Sequence, residues 1–137
     1  MSTDTCNHPR VGVATLVLKD SKILLGRDTR KGDVWAVPGG HWENRETISA
    51  CAKRETLEES GVTCDNVVNI GVFDFYREDK QRSYVTIQMK ADYVSGELTE
   101  KQDEGRLEWQ WVDPSEALKL HLFPADKNMI EKYLAAI

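Results

Sequence analysis

Hydrophobic and polar positions alternate with different periods along this chain. Residues 11–18 (VGVATLVL) form an unbroken apolar, β-branched run, which predicts a strand buried on both faces. Asp20-Ser21 marks a turn, and residues 22–26 (KILLG) return as a second strand. A third, short strand is expected at 34–37 (VWAV), ending at Pro38-Gly39-Gly40. The period then lengthens. From Glu46 or Thr47 to Gly61 the spacing is helical, with Ile48, Cys51 and Ala52 on one arc and Gly61 placed for a left-handed C-cap.

Period-two patterning resumes at 66–76 and 82–94, and the charged turn at 77–81 makes these a hairpin. On the second strand Tyr84, Thr86, Gln88 and Lys90 fall on one face, and Val85, Ile87 and Met89 on the other. Residues 96–106 (GELTEKQDEGR) are polar and turn-rich and predict a surface loop. A strand at 107–112 (LEWQWV) follows, with Trp109 and Trp111 on one face. Asp113-Pro114-Ser115-Glu116 then reads as a capped helix start. Residues 125–137 close the chain as an amphipathic helix with Met129, Ile130, Tyr133 and Leu134 inward.

Composition narrows the picture. A length of 137 residues suits one domain, 1–137, with no repeat or linker. Hydrophobic content of 40% comes without an apolar run of the ~18 residues that a membrane span needs. Residues 1–10 carry no secretory signal pattern, so a cytoplasmic address is expected. Cys6, Cys51 and Cys64 are odd in number and lack metal-ligand spacing, which argues against a disulfide framework. A net charge of −5 disfavours binding along a nucleic-acid duplex and suits a small anionic substrate whose charge metal ions neutralise.

The chemistry concentrates between residues 40 and 62 (GHWENRETISACAKRETLEESGV). At about 100° per residue, Glu55, Glu58 and Glu59 share one face of the helix. Like charges at those spacings repel, so a helix built for stability alone would avoid them. A hard divalent cation with oxygen ligands relieves the repulsion, and Arg54 adds a fixed positive charge. The bland alternative, a solvated acidic surface, fits poorly because the charges cluster instead of alternating with lysines.

Gly40, Glu46, Arg54-Glu55, Glu58-Glu59, Gly61 and Val62 at these spacings resemble the signature box of the Nudix hydrolases. Every charged and glycine position matches, and Thr56 stands where the family usually has an aliphatic residue. The resemblance implies a Nudix-type α/β/α sandwich around a mixed β-sheet. It also implies a Mg²⁺-dependent (or Mn²⁺-dependent) pyrophosphohydrolase, often dimeric, acting on a nucleoside diphosphate linked to another group. Glu58 and Glu59 would be the principal metal ligands. Glu55 would be a ligand or the general base, oriented by Arg54. One loop acid would complete the metal site: Glu104 by position, with Asp103 and Glu100 as rivals.

The small size and the Pro-Gly-Gly-His lead-in are similar to the MutT-like branch, which cleaves nucleoside triphosphates to monophosphate and pyrophosphate. No proline lies between Pro38 and Pro114, whereas relatives that cleave ADP-ribose typically carry one soon after the box. Nucleotide sugars, dinucleoside polyphosphates and a non-catalytic nucleotide-binding module stay open as alternatives. Candidate substrate contacts are Arg27, the Gly39-Gly40 backbone, and the aromatic residues Trp35 and Tyr84, with Phe123 a further stacking option. Trp35 reads somewhat better as core, Glu46 as a support for the loop and Glu43 as a solvated charge.

Overall fold

A computed structural model describes residues 8–99 and 107–137. Seven strands form one mixed sheet, in the order β3 (Val34–Ala36), β2 (Lys22–Asp28), β1 (Arg10–Lys19), β6 (Arg82–Ser95), β5 (Thr63–Arg77). Of the remaining two, β4 (Gly39–His41) pairs with β1 and β7 (Glu108–Val112) pairs with β2. Among the strand pairs of the described residues, β1 and β6 run parallel and the others antiparallel.

The apolar run of β1 lies centrally, as its composition demands. Side chains alternate across the sheet, so consecutive residues of β1 serve two different cores. Ala14 and Leu16 pack with Ile23, Leu25, Met129 and Ile130 beneath α3 (Pro124–Ala136). Val13 packs with Cys51, Ala52 and Met89 beneath α1 (Ile48–Ser60) on the opposite face. Val17 and Leu24 extend that second face towards Trp109. The result is an α/β/α sandwich with the expected helix on each side. Among the described residues, no helix is long and apolar enough to cross a membrane.

One edge of β1 is shared between two partners. Leu18 and Lys19 pair with β2, while Gly12, Val13 and Ala14 pair with β4. At the changeover the Thr15 N–H donates to the Pro38 carbonyl at 3.0 Å. The strand β4 was not expected from the sequence, which reads Pro38-Gly39-Gly40 as a turn. Three residues of Gly-Gly-His carry no alternation; they are extended because the edge that β2 vacates offers backbone partners.

The helix bounds follow local chemistry. Thr47 caps α1 by accepting from the Ala50 N–H, and Gly61 ends it at φ 84°, its N–H returned to the Leu57 carbonyl. Thr56 is fully buried, and its hydroxyl donates to the Ala52 carbonyl at 2.7 Å. A threonine can therefore stand in an apolar slot without stranding a polar group. The hairpin β5–β6 turns at 78–81 as patterned. Asp113 caps the four-residue α2 (Pro114–Ala117), and Trp109 is buried. Cys51 and Cys64 are buried free thiols, while Cys6 lies outside the described residues.

Gly61 faces two constraints, its positive φ and the Glu97 carbonyl, which would lie 2.6 Å from any added Cβ. Gly61→Ala should therefore lower unfolding free energy by more than about 1 kcal/mol, measured by urea denaturation. An unchanged midpoint would mean that the helix end relaxes freely.

Candidate active site

The late turns of α1 meet β4, and the acidic cluster is assembled there. Arg54 is its hub. Its Nε donates to Glu46 Oε1 at 2.9 Å and one terminal nitrogen to Glu46 Oε2 at 2.8 Å, a bidentate pair. The other terminal nitrogen reaches Glu55 Oε2 at 3.1 Å and Glu58 Oε1 at 3.3 Å. Glu46 also accepts from the Glu43 N–H at 3.0 Å, so it ties the loop before α1 to the helix. The Arg54 guanidinium and the Glu43 N–H hold the Glu46 carboxyl down at about 2. Glu43 itself stays exposed, 3.8 Å from Arg54.

Glu59 is in a different setting. Its Oε1 accepts from the Gly39 N–H at 3.1 Å, and its carboxyl lies within hydrogen-bonding reach of Glu55. Burial, then the neighbouring Glu55 and Glu58 charges, push it up to about 8, against the pull of the Gly39 N–H. Glu55 is half-buried against Gly40, where a methyl group would collide with its carboxylate. Gly40 is glycine for that reason. Of the two glycines read as the edge of a phosphate site, Gly39 gives its N–H to Glu59.

Among the described residues, no set of three or more His, Cys, Asp and Glu side chains converges as a ready metal cage. Glu55 and Glu58 are turned onto Arg54, and Glu58 is largely exposed. The donor set nevertheless fits a hard divalent ion: every ligand offered is a carboxylate oxygen. The repulsion between Glu59 and its neighbours Glu55 and Glu58 is of the kind that a cation would relieve. Glu104, Asp103 and Glu100 fall outside the described residues.

The other sequence candidates are not gathered here. Arg27 on β2 pairs with Glu108 of β7, sits 4.0 Å from Asp33 and lies 6.0 Å from the Trp35 ring. None of these partners belongs to the acidic box. Trp35 is half-buried against the α3-side core, its N–H given to the His121 carbonyl at 2.8 Å. Tyr84 lies on β6, beyond β1 from Arg27, and stacks on Phe75 with centroids 5.5 Å apart and planes at 15°. Phe123 is exposed at the start of α3.

His41 was not singled out in the sequence. Its carbonyl receives Arg54 at 3.4 Å and its ring meets Arg10. Burial and the Arg10 charge hold its ring below the ordinary histidine value. Its place directly after Gly-Gly was the available signal.

With this geometry in view, the family match is direct: the NUDIX domain model matches residues 7–133. The chain belongs to the Nudix hydrolase family. A mouse oxidized purine nucleoside triphosphate hydrolase is 34% identical over 106 residues, covering 76% of this chain and 67% of that protein. An ADP-ribose pyrophosphatase from Methanocaldococcus jannaschii is 32% identical over 106 residues, covering 74% and 62%. A solved NUDIX hydrolase from Nitrosomonas europaea superposes with a TM-score of 0.80 at 28% identity, covering 93% of this chain and 90% of that one. The MutT protein from Bacillus halodurans gives 0.74 at 30% identity, covering 89% and 80%. The chain is therefore a Nudix hydrolase with MutT-like structural neighbours, and hydrolases of this family generally use divalent metal ions.

The raised level of Glu59 has a thermodynamic consequence. Between its ordinary value of 4.5 and about 8, the folded metal-free chain holds a proton that the unfolded chain has released. The contribution of Glu59 to stability is therefore fully present below about pH 4.5 and is lost as pH rises through about 8. Asp126, pushed up to about 7 by burial, adds to the same slope. In chelator, the melting temperature should fall between pH 6.5 and 8.5. Glu59→Gln should flatten the fall, leaving the Asp126 part. A slope unchanged by that substitution would refute the assignment.

Proposed function

We propose that this Nudix hydrolase is a Mg²⁺-dependent pyrophosphohydrolase that cleaves a nucleoside triphosphate to the monophosphate and pyrophosphate. The observation that carries this reading is the Glu55–Glu59 carboxyl pair, set between Arg54 and the Gly39-Gly40 strand with Glu58 alongside. The family match across 7–133 supports reading the chain as one catalytic domain. The mouse relative and the MutT neighbour support a triphosphate substrate.

Hydrolysis requires water to reach a phosphorus shielded by anionic oxygens, and the P–O bond to the leaving phosphate then breaks. Glu55, Glu58 and Glu59 would hold the metal, with a loop acid, Glu104 in first place, completing the set. When bound, divalent ions supply charge neutralisation at the phosphoryl oxygens and lower the pKa of bound water. Arg54 fixes the Glu55 carboxylate in place and shares Glu58, while the Glu46 pair prevents the guanidinium from swinging away. Glu55 is the side chain we assign to accept the proton of the attacking water, since it is half-buried, held by Arg54 and next to Gly40. Tyr84 and Phe75 offer an aromatic surface for a base, and Arg27 and Trp35 form a second cation–aromatic pair on the same sheet.

A second reading, cleavage of a nucleoside diphosphate joined to a sugar, is favoured by the Methanocaldococcus relative. It is disfavoured by the absence of any proline between Pro38 and Pro114. A panel of nucleoside triphosphates, nucleotide sugars and dinucleoside polyphosphates with Mg²⁺, scored for phosphate and pyrophosphate, separates the two. Pyrophosphate from a triphosphate is the expected product. Glu58→Gln and Glu59→Gln should each lower kcat by about 10²-fold or more while the fold is retained. Full turnover by either variant would remove the basis of the proposal, and nucleotide binding without any turnover would make the chain a binding module.

A further inference from the structure

Asp126 is 7% exposed, in the first turn of α3, and takes no part in the acidic cluster. Its carboxyl is governed by burial and by one hydrogen bond, from the Val37 N–H to Oδ2 at 3.2 Å. The backbone explains why it is there. Trp35 pairs in parallel with Leu122, and its N–H goes to the His121 carbonyl at 2.8 Å. In a parallel ladder the next N–H on that side, Val37, would take the carbonyl two residues on, at Phe123. That carbonyl is already used by the first turn of α3, which donates to it from Asp126 N–H at 3.0 Å and Lys127 N–H at 2.9 Å. The chain has turned into a helix, and the Asp126 side chain replaces the acceptor that the backbone has withdrawn.

Three consecutive residues are thereby fixed to three different elements. Val37 is held by α3, Pro38 by the Thr15 N–H of β1 at 3.0 Å, and Gly39 by Glu59 of α1 at 3.1 Å. Of the three anchors, only Asp126 comes from outside the sheet and the acidic helix.

We propose that Asp126 is a positioning residue for the reaction centre. By holding Val37 it sets the depth of the Pro38-Gly39-Gly40 segment, and so the placement of the Gly39 N–H against Glu59 and the room that Gly40 leaves for Glu55. The kinetic part of this inference rests on the reading of the site given above. The backbone part stands without it.

The test compares Asp126→Ala, which removes the acceptor, with Asp126→Asn, whose amide oxygen can still accept from Val37. Steady-state kinetics with a triphosphate is read beside NMR hydrogen exchange of the Val37 and Gly39 amides. Asp126→Ala should lose at least about tenfold in kcat with KM changed less than that, and exchange at both amides should quicken by at least about tenfold. Asp126→Asn should stay within tenfold of the parent in both readouts. Wild-type kcat in an Asp126→Ala protein whose Val37 amide has lost protection overturns the proposal. So does an Asp126→Asn variant as slow as Asp126→Ala, which would mean that the carboxyl acts through its charge or proton. If the alanine variant does not fold, the asparagine variant decides alone at the same tenfold limit. A parent that hydrolyses no nucleotide defeats the functional reading, and the exchange arm then decides the positioning claim by itself.

Discussion

Two carboxyl groups pressed together beside a glycine strand are the constraint on which this molecule depends. Glu55 and Glu59 stand one helical turn apart, and the fold drives both inward, where their mutual repulsion is poorly screened. The chain relieves this in two ways. Arg54 takes Glu55 together with Glu46 and Glu58, and Glu59 keeps its proton while accepting from Gly39. Both are second-best solutions for a set of oxygen donors. A divalent ion would compete with the proton on Glu59 and with the guanidinium for Glu55 and Glu58.

The buried arc of α1, Cys51 and Ala52, is packed on Val13 and Met89, which prevents the helix from rotating its acids outward. Lys53 pairs with Asp65 at 3.0 Å and links the exposed side of the helix to β5. On the other side of the cluster, β4 lies on the edge of β1 that β2 leaves free, so Gly39 and Gly40 are brought against the last turns of α1. Burial of the Cys51 thiol pushes it up to about 12, and so it contributes packing and no charge to this region.

Much of this was legible in the sequence, because it is written locally. Thr47, Gly61 and the helical spacing between them define α1, and the unbroken apolar run of β1 announces a strand covered on both faces. Glu46 was read as a support for the loop, and the structure shows that it gives that support through a bidentate pair with Arg54. What escaped depends on partners far along the chain. β4 exists only because a distant strand edge is vacant. Arg27 was read as a candidate substrate contact, and its pairing with Glu108, eighty-one positions away, lies in a strand whose register no local pattern specifies. The Gly39 N–H, read as part of the edge of a phosphate site, is given to Glu59 of the same chain. Glu104, Asp103 and Glu100 fall outside the described residues, so the last metal ligand stays an expectation.

Asp126 shows the same limit from the other direction. An aspartate in the first turn of a helix reads as a solvated charge favoured by the helix dipole, and that local reading is sound as far as it goes. What overrides it is the conversion of a strand into a helix at Phe123-Pro124, directly after the bridge to Trp35. A helix that begins in the middle of a ladder leaves the neighbouring strand with an N–H facing no acceptor, and an unpaired buried N–H costs about 1–3 kcal/mol. An aspartate in the first helical turn is short enough to reach back across that gap. Burial of its carboxyl is then a consequence of supplying the missing acceptor. The strand so held continues directly into the segment that carries Gly39 and Gly40, so a local repair of backbone bonding also governs how the reaction centre is seated.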